Sequence, residues 1–247
     1  MLAILVLATA RAYAGLPEAI ERVKPSVVAV GTFQKTRSPA FAFRGTGFAV
    51  EDGTVVATNA HVVSPAMQAE SGEALMVLVH VRGEKAPQPR EARVIAMDKE
   101  HDLALLRISG APLPAVTIGN SEAARDGQSI AFTGFPIGNA LGFYPVTHRG
   151  IISAVTPIAI PAPTASGLDA RAAKGLKAGP FLLFQLDNTA YPGHSGSPLF
   201  DAETGEVIGV VNMGLLKNRK DATLNMPSGI SFAVPVQFLQ ELIRGLR

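Results

Sequence analysis

The chain has 247 residues, of which 47% are apolar and only 17% charged, so a folded protein with a sizeable core is expected rather than a disordered one. A formal net charge of +2, with no basic stripe interleaved with aromatics, sets nucleic-acid binding aside. The absence of cysteine excludes disulfides, a thiol nucleophile and thiolate metal sites.

Met1 to Ala10 is almost entirely apolar, and Ala12-Tyr13-Ala14 before Gly15 has the small-x-small form of a signal-peptidase site. We read residues 1–14 as an export leader, over the alternative of a buried N-terminal helix. No Lys or Arg precedes the apolar run, and Arg11 interrupts its end. The run is too short for a membrane span, which needs about 20 apolar residues. No other run is long enough, so no integral membrane span is expected in the mature chain, which is expected to be periplasmic, in the cell envelope or secreted.

Leu16 to Val23 has helical spacing and ends at Lys24-Pro25, where proline discourages continuation. From there short β-rich runs are separated by Gly, Pro and Asn. A first cluster is predicted at Ser26–Phe33, Gly45–Val50, Thr54–Thr58, Leu75–Val81, Ala92–Met97 and Leu103–Ile108. A second is predicted at Ser129–Thr133, Val146–Val155, Phe181–Leu186, Pro198–Phe200, Val207–Asn212 and Ile230–Val234. This turn-bounded spacing argues for an all-β fold of two antiparallel barrels, the first over about 26–110 and the second over about 128–234, joined through the Gly- and Pro-containing stretch 110–128. Pro235 to Leu246 places Val236, Leu239, Leu242 and Ile243 on one face of a C-terminal helix. Residues 161–180 and 213–228 have little apolar periodicity and are predicted as long surface loops.

Gly193-His194-Ser195-Gly196-Ser197-Pro198 sets a serine between glycines after an apolar run. A serine hydroxyl attacks only if a base takes its proton and donors hold the developing charge. Upstream, His61 follows the strand-like run Thr54 to Ala60, and Asp102 stands at the mouth of Leu103–Ile108. Imidazole has the pKa for such a proton shuttle, and a carboxylate on its other nitrogen fixes the tautomer. Glycine at 193 allows the amides of Gly193 and Ser195 to converge on one spot, an oxyanion hole. Each signal alone is weak, and their joint occurrence in the order His, Asp, Ser carries the reading. No step of this chemistry needs a metal or an organic cofactor.

Three other readings compete. Gly-x-Ser-x-Gly of an α/β-hydrolase is nearly met, but that fold needs a histidine after the nucleophile, and the five histidines are His61, His80, His101, His148 and His194. A metal hydrolase on His61, His80 and His101 lacks the His-x₃-His spacing of a helical site, and His80 falls among apolar residues. A catalytically silent binding or scaffold module requires the oxyanion turn to be collapsed.

Gly45-Thr46-Gly47-Phe48, Thr58-Asn59-Ala60-His61-Val62-Val63, Asp102-Leu103-Ala104-Leu105-Leu106 and Pro192-Gly193-His194-Ser195-Gly196-Ser197-Pro198 resemble the trypsin-like serine proteases of the HtrA/Deg type. Val23 to Val28, Gly150 to Ala154 and Gly229 to Pro235 match the flanking segments of that family. The resemblance covers the chain from about Leu16 onward. It implies two perpendicular six-stranded barrels with His61 and Asp102 from the first and Ser195 from the second. It also implies a serine endopeptidase acting on protein or peptide substrates, with envelope protein quality control as the expected role; homo-oligomerisation is compatible with it. Such proteases usually carry a PDZ domain after the protease, whereas this chain is expected to be the protease domain alone. The family usually reads Gly-Asn-Ser-Gly-Gly-Pro around the nucleophile, where this chain has His194 and Ser197. We read His194 as a turn residue rather than the base.

By the same resemblance, Thr189 would form the floor of the substrate pocket, with walls from Val211, Asn212, Met213, Ile230 and Ser231. None of these is acidic, so cleavage after Lys or Arg is disfavoured and a small or medium aliphatic residue is expected before the scissile bond.

Overall fold

The computed structural model describes residues 15–63, 72–81, 83–84, 86–136, 138, 142–158, 181–213 and 230–246. The leader expected at 1–14, the 161–180 loop and all but Met213 of the 213–228 loop lie outside the described residues.

Helix α1 (Leu16–Val23) opens with Pro17 in its first turn, where its missing N–H costs nothing, and turns Ala19 and Val23 inward. Six strands follow: β1 (Val27–Phe33), β2 (Phe41–Val50), β3 (Val55–Asn59), β4 (Ala74–Val79), β5 (Gln88–Asp98) and β6 (Leu103–Ile108). They close into an antiparallel barrel in the order β1-β2-β3-β6-β5-β4. A second closed antiparallel barrel runs β10-β11-β12-β9-β8-β7. Its strands are β7 (Ser129–Gly134), β8 (Val146–Ile158), β9 (Phe181–Leu186), β10 (Pro198–Asp201), β11 (Val207–Asn212) and β12 (Ser231–Pro235). Closure removes the unpaired sheet edges that an open sheet would expose. The all-β double barrel anticipated from the sequence is the fold observed, and the chain ends in helix α2 (Val236–Arg244).

The barrels meet through the outer faces of strands whose inner faces fill them, which follows from the period-two alternation of side chains. On β1, Val28 and Val30 join the core of the first barrel, while Val27 and Ala29 join a core shared between barrels and helices. On β6, Ala104, Leu106 and Ile108 point in, and Leu103 and Leu105 point to the shared core. The second barrel is filled by Ile130, Phe132, Ile152, Phe184, Leu199 and Ile208. Helix α2 buries Val236, Leu239 and Ile243 in the shared core, each worth roughly 1.5–3 kcal/mol of transfer free energy.

The connecting segment is strapped to both barrels in turn. Leu113 N–H donates to Gly53 O and Val116 N–H to Ala49 O in the first barrel; Gly119 N–H donates to Val207 O in the second.

Two strands begin four residues earlier than predicted. β2 starts at Phe41 rather than Gly45, and β5 at Gln88 rather than Ala92. In β2 the added Phe41-Ala42-Phe43 is apolar but only half-buried and is followed by exposed Arg44, and in β5 the added Gln88, Pro89, Arg90 and Glu91 are half-buried or exposed and carry no apolar run.

Candidate active site

The seam between the barrels gathers His61, Asp102 and Ser195. Strand β3 ends at Asn59 and passes into a 3₁₀ turn, Ala60–Val63, that carries His61. Asp102 precedes β6 with φ at +55°, a left-handed conformation that Asp adopts more readily than most residues. Several bonds hold it there. Its carbonyl accepts from Ala60 N–H at 3.0 Å and from Asn59 Nδ2 at 3.0 Å. Its Oδ1 accepts from His61 N–H at 2.8 Å, and its Oδ2 meets His61 Nδ1 at 2.5 Å. With Nδ1–H donating to the carboxylate, the lone pair of the neutral ring lies on Nε2, 3.0 Å from Ser195 Oγ.

Ser195 sits in a turn built by its neighbours. His194 N–H donates to Tyr191 O at 3.0 Å, closing a four-residue turn with Pro192 second and Gly193 third. Gly193 has φ +105°, the signature of a type II turn, which favours proline and glycine at these two places. A side chain at 193 would also run into Phe135 O, and one at Gly196 into Thr46 O. Around the nucleophile the backbone donors are nearly all engaged: Tyr191 on His194 Nδ1, His194 on Tyr191 O, Gly196 on Val211 O and Ser197 on His194 O. Among the described residues, the amides of Gly193 and Ser195 have no acceptor.

Thr46 on β2 bolts this turn to the first barrel. Its Oγ1 donates to Gly193 O at 2.7 Å and accepts from Phe135 N–H at 3.1 Å, and its N–H donates to Ser195 O at 2.8 Å. The motif Gly45-Thr46-Gly47-Phe48 marks this strand in the sequence, but gives no sign that Thr46 reaches the nucleophile turn.

Asn212 departs from its expected place in the pocket wall. It is fully buried, and its Nδ2 donates to Asp102 Oδ2 at 2.9 Å, because the end of β11 runs beside the carboxylate. Val211 is likewise fully buried, its side chain in the second-barrel core. Thr189 is half-buried, Met213 packs against that core, Ile230 is 43% exposed, and Ser231 is buried with no partner for its Oγ among the described residues.

The histidines weighed as metal ligands are not brought together. His61 is on Asp102, His80 Nε2 on Phe143 O, and His101 Nδ1 on Asp98 Oδ2 at 2.6 Å with its ring stacked on Phe238. Among the described residues no group of three or more His, Asp or Glu is placed to hold a metal ion. His148 and His194 lie inside the second barrel around Phe132, and burial lowers both pKa values, that of His194 to about 3 with a further push from His148.

Two closed barrels with a serine, an imidazole and a carboxylate in contact across their seam define the trypsin-like class. The chain belongs to the trypsin-like peptidase domain family, whose model matches residues 45–210. It is 30% identical over 204 residues to a probable periplasmic serine endoprotease, DegP-like, of Halomonas elongata, covering 82% of this chain and 35% of that protein. It is 32% identical over 207 residues to the putative serine protease HhoB of Synechocystis, covering 82% and 40%. The chain thus spans little more than a third of the length of these curated relatives. Among solved structures it is similar in fold to the serine endoprotease from Yersinia pestis, with a TM-score of 0.64, 24% identity, and coverage of 94% of this chain and 66% of that one. The HtrA-type protease AlgW with decapeptide gives a TM-score of 0.65 at 22% identity, with coverage of 94% and 67%. No helix among the described residues is long and apolar enough to cross a membrane.

Proposed function

We propose that this chain is a serine endopeptidase that hydrolyses peptide bonds of protein substrates through an acyl-enzyme intermediate. The observation that carries the reading is the unbroken line Ser195 Oγ, His61 Nε2, His61 Nδ1, Asp102 Oδ2, with spacings of 3.0 and 2.5 Å at its two joints, and at its serine end the amides of Gly193 and Ser195, which have no acceptor among the described residues.

In this mechanism His61 Nε2 takes the Ser195 proton as Oγ bonds to the scissile carbonyl carbon. The negative charge moves to the carbonyl oxygen, where the amides of Gly193 and Ser195 receive it. Asp102 stabilises the imidazolium without taking its proton. The imidazolium then protonates the departing amine as the C–N bond breaks, leaving an ester on Ser195. Water attacks the ester as the same His61 takes its proton, and His61 then returns that proton to Ser195 Oγ as the bond from Oγ to the acyl carbon breaks and the acid leaves.

Thr189, Met213, Ile230 and Ser231 are assigned to the pocket for the residue before the scissile bond, and the absence of charge among them supports a small or medium aliphatic side chain there. The names of the periplasmic relatives, with the small-x-small motif at residues 12–14, support export to the periplasm. The silent-scaffold alternative requires a collapsed turn, which the type II geometry at Gly193 argues against. Covalent labelling by a fluorophosphonate, lost in Ser195→Ala, tests the reading; a folded wild-type protein that never labels would reject it.

A further inference from the structure

His194 is adjacent to the nucleophile yet takes no part in the proton shuttle. Its ring is fully buried in the second barrel, edge-on to Phe132 at 5.1 Å and to His148 at 4.9 Å between centroids. Its Nδ1 lies 2.9 Å from Tyr191 N, which can only donate. Nδ1 is therefore the acceptor, and the neutral ring carries its proton on Nε2. The same pair of residues is also joined by His194 N–H to Tyr191 O at 3.0 Å. The oxyanion turn is thus clasped twice, once through backbone and once through imidazole.

The two clasps bear on the peptide between them. Type I and type II turns share the closing bond and differ by a flip of the central peptide, here Pro192–Gly193, which carries the Gly193 N–H. Thr46 Oγ1 fixes the following peptide through Gly193 O. The imidazole adds to this shared closing bond a second tie, from the Tyr191 N–H to the His194 side chain, across the turn in which that flip would occur. Protonation would remove the second clasp outright, since Nδ1–H would then face Tyr191 N–H. The titratable groups against the ring among the described residues are His148 on β8 and Tyr191 in its own turn, and neither supplies the negative charge that would favour the imidazolium.

We propose that His194 is a positioning residue: its neutral imidazole clasps the Tyr191–His194 turn through Nδ1 and so keeps the Gly193 amide turned toward the oxyanion. The proposal rests on the acyl-transfer reading above and assigns His194 no contact with substrate.

Two measurements test it. In protein labelled with ¹⁵N-histidine, NMR should find His194 as the Nε2–H tautomer, unchanged from neutral pH down to about pH 4.5. A proton on Nδ1, or titration close to the ordinary histidine range, would overturn the proposal. The second measurement is the kinetics of Ser195 inactivation by a fluorophosphonate. His194→Leu should lower the saturating rate by about 10²–10³-fold, the cost of one oxyanion donor, with the half-saturating concentration within about threefold of wild type. His194→Asn, whose Oδ1 stands where Nδ1 does, should recover the rate to within about tenfold of wild type. Wild-type kinetics in the Leu variant, or an Asn variant as slow as the Leu one, would overturn it. If the Leu variant does not fold, His194→Gln, with its acceptor one methylene too far, replaces it on the same criteria. A wild-type protein that never labels rejects the protease reading instead, and the tautomer measurement still judges the clasp.

Discussion

The Asn212 amide donates to Asp102 Oδ2 at 2.9 Å, the same oxygen that meets His61 Nδ1 at 2.5 Å, so the far barrel supplies a third member of the His–Asp pair. Asn212 is buried and comes from β11, whereas Asp102 and His61 flank β6 and β3. Bonds to a charged acceptor are worth roughly 1.5–3 kcal/mol. Asn212→Leu should therefore lower the fluorophosphonate labelling rate by about 10–100-fold while the protein still folds. Asn212→Asp, which sets a second carboxylate against Asp102, should lower it further. Labelling rates of the two variants against wild type check this order.

Thr46 Oγ1 serves two backbone groups at once, and a nearly isosteric change removes both bonds. Thr46→Val should leave the buried Phe135 N–H without an acceptor and cost about 1–3 kcal/mol in stability, read from the urea midpoint. It should also slow labelling, because Gly193 O loses its anchor. Thr46→Ser keeps the hydroxyl and should keep both properties.

Burial lowers the His194 pKa to about 3 from 6.5, with His148 adding to the effect, which gives stability a definite pH dependence. Between these values the unfolded chain binds a proton that the folded chain does not. This contribution is full above pH 6.5 and is lost as pH falls toward about 3, with a slope of up to about 1.4 kcal/mol per pH unit. His194→Asn should remove that slope. Urea midpoints of both proteins at pH 7 and pH 5 measure it; parallel losses in the two would contradict it.

The residues proposed for the pocket are uncharged, and this predicts which bonds are cut. A peptide library should be cleaved after small or medium aliphatic residues, and a preponderance of Lys, Arg, Asp or Glu at that place would contradict the assignment of Thr189 as its floor.

What the sequence made legible follows from what is local in it. Strands β6, β9 and β11 are short apolar runs between turn residues and were readable to the residue. The early parts of β2 and β5 were not, since Phe41-Ala42-Phe43 is too short a run before Arg44 to mark a strand and Gln88 to Glu91 is polar or proline throughout. His61, Asp102 and Ser195, which the structure brings together, were legible through their joint occurrence in that order, since each local signal alone is weak. The bonds that hold them were not: Asn212 reaches Asp102 across 110 positions, and Thr46 reaches Gly193 across 147. Such pairings arise only when the second barrel docks on the first. Asn212, placed in the pocket wall by the family resemblance, instead donates to Asp102.

The most direct measurement is turnover of unfolded casein by the wild type and by Ser195→Ala, His61→Ala and Asp102→Asn, with folding of each confirmed by circular dichroism. The wild type should cleave casein, and all three variants should lose roughly 10⁴-fold or more of that turnover. Near-wild-type cleavage by any one of the folded variants would contradict this.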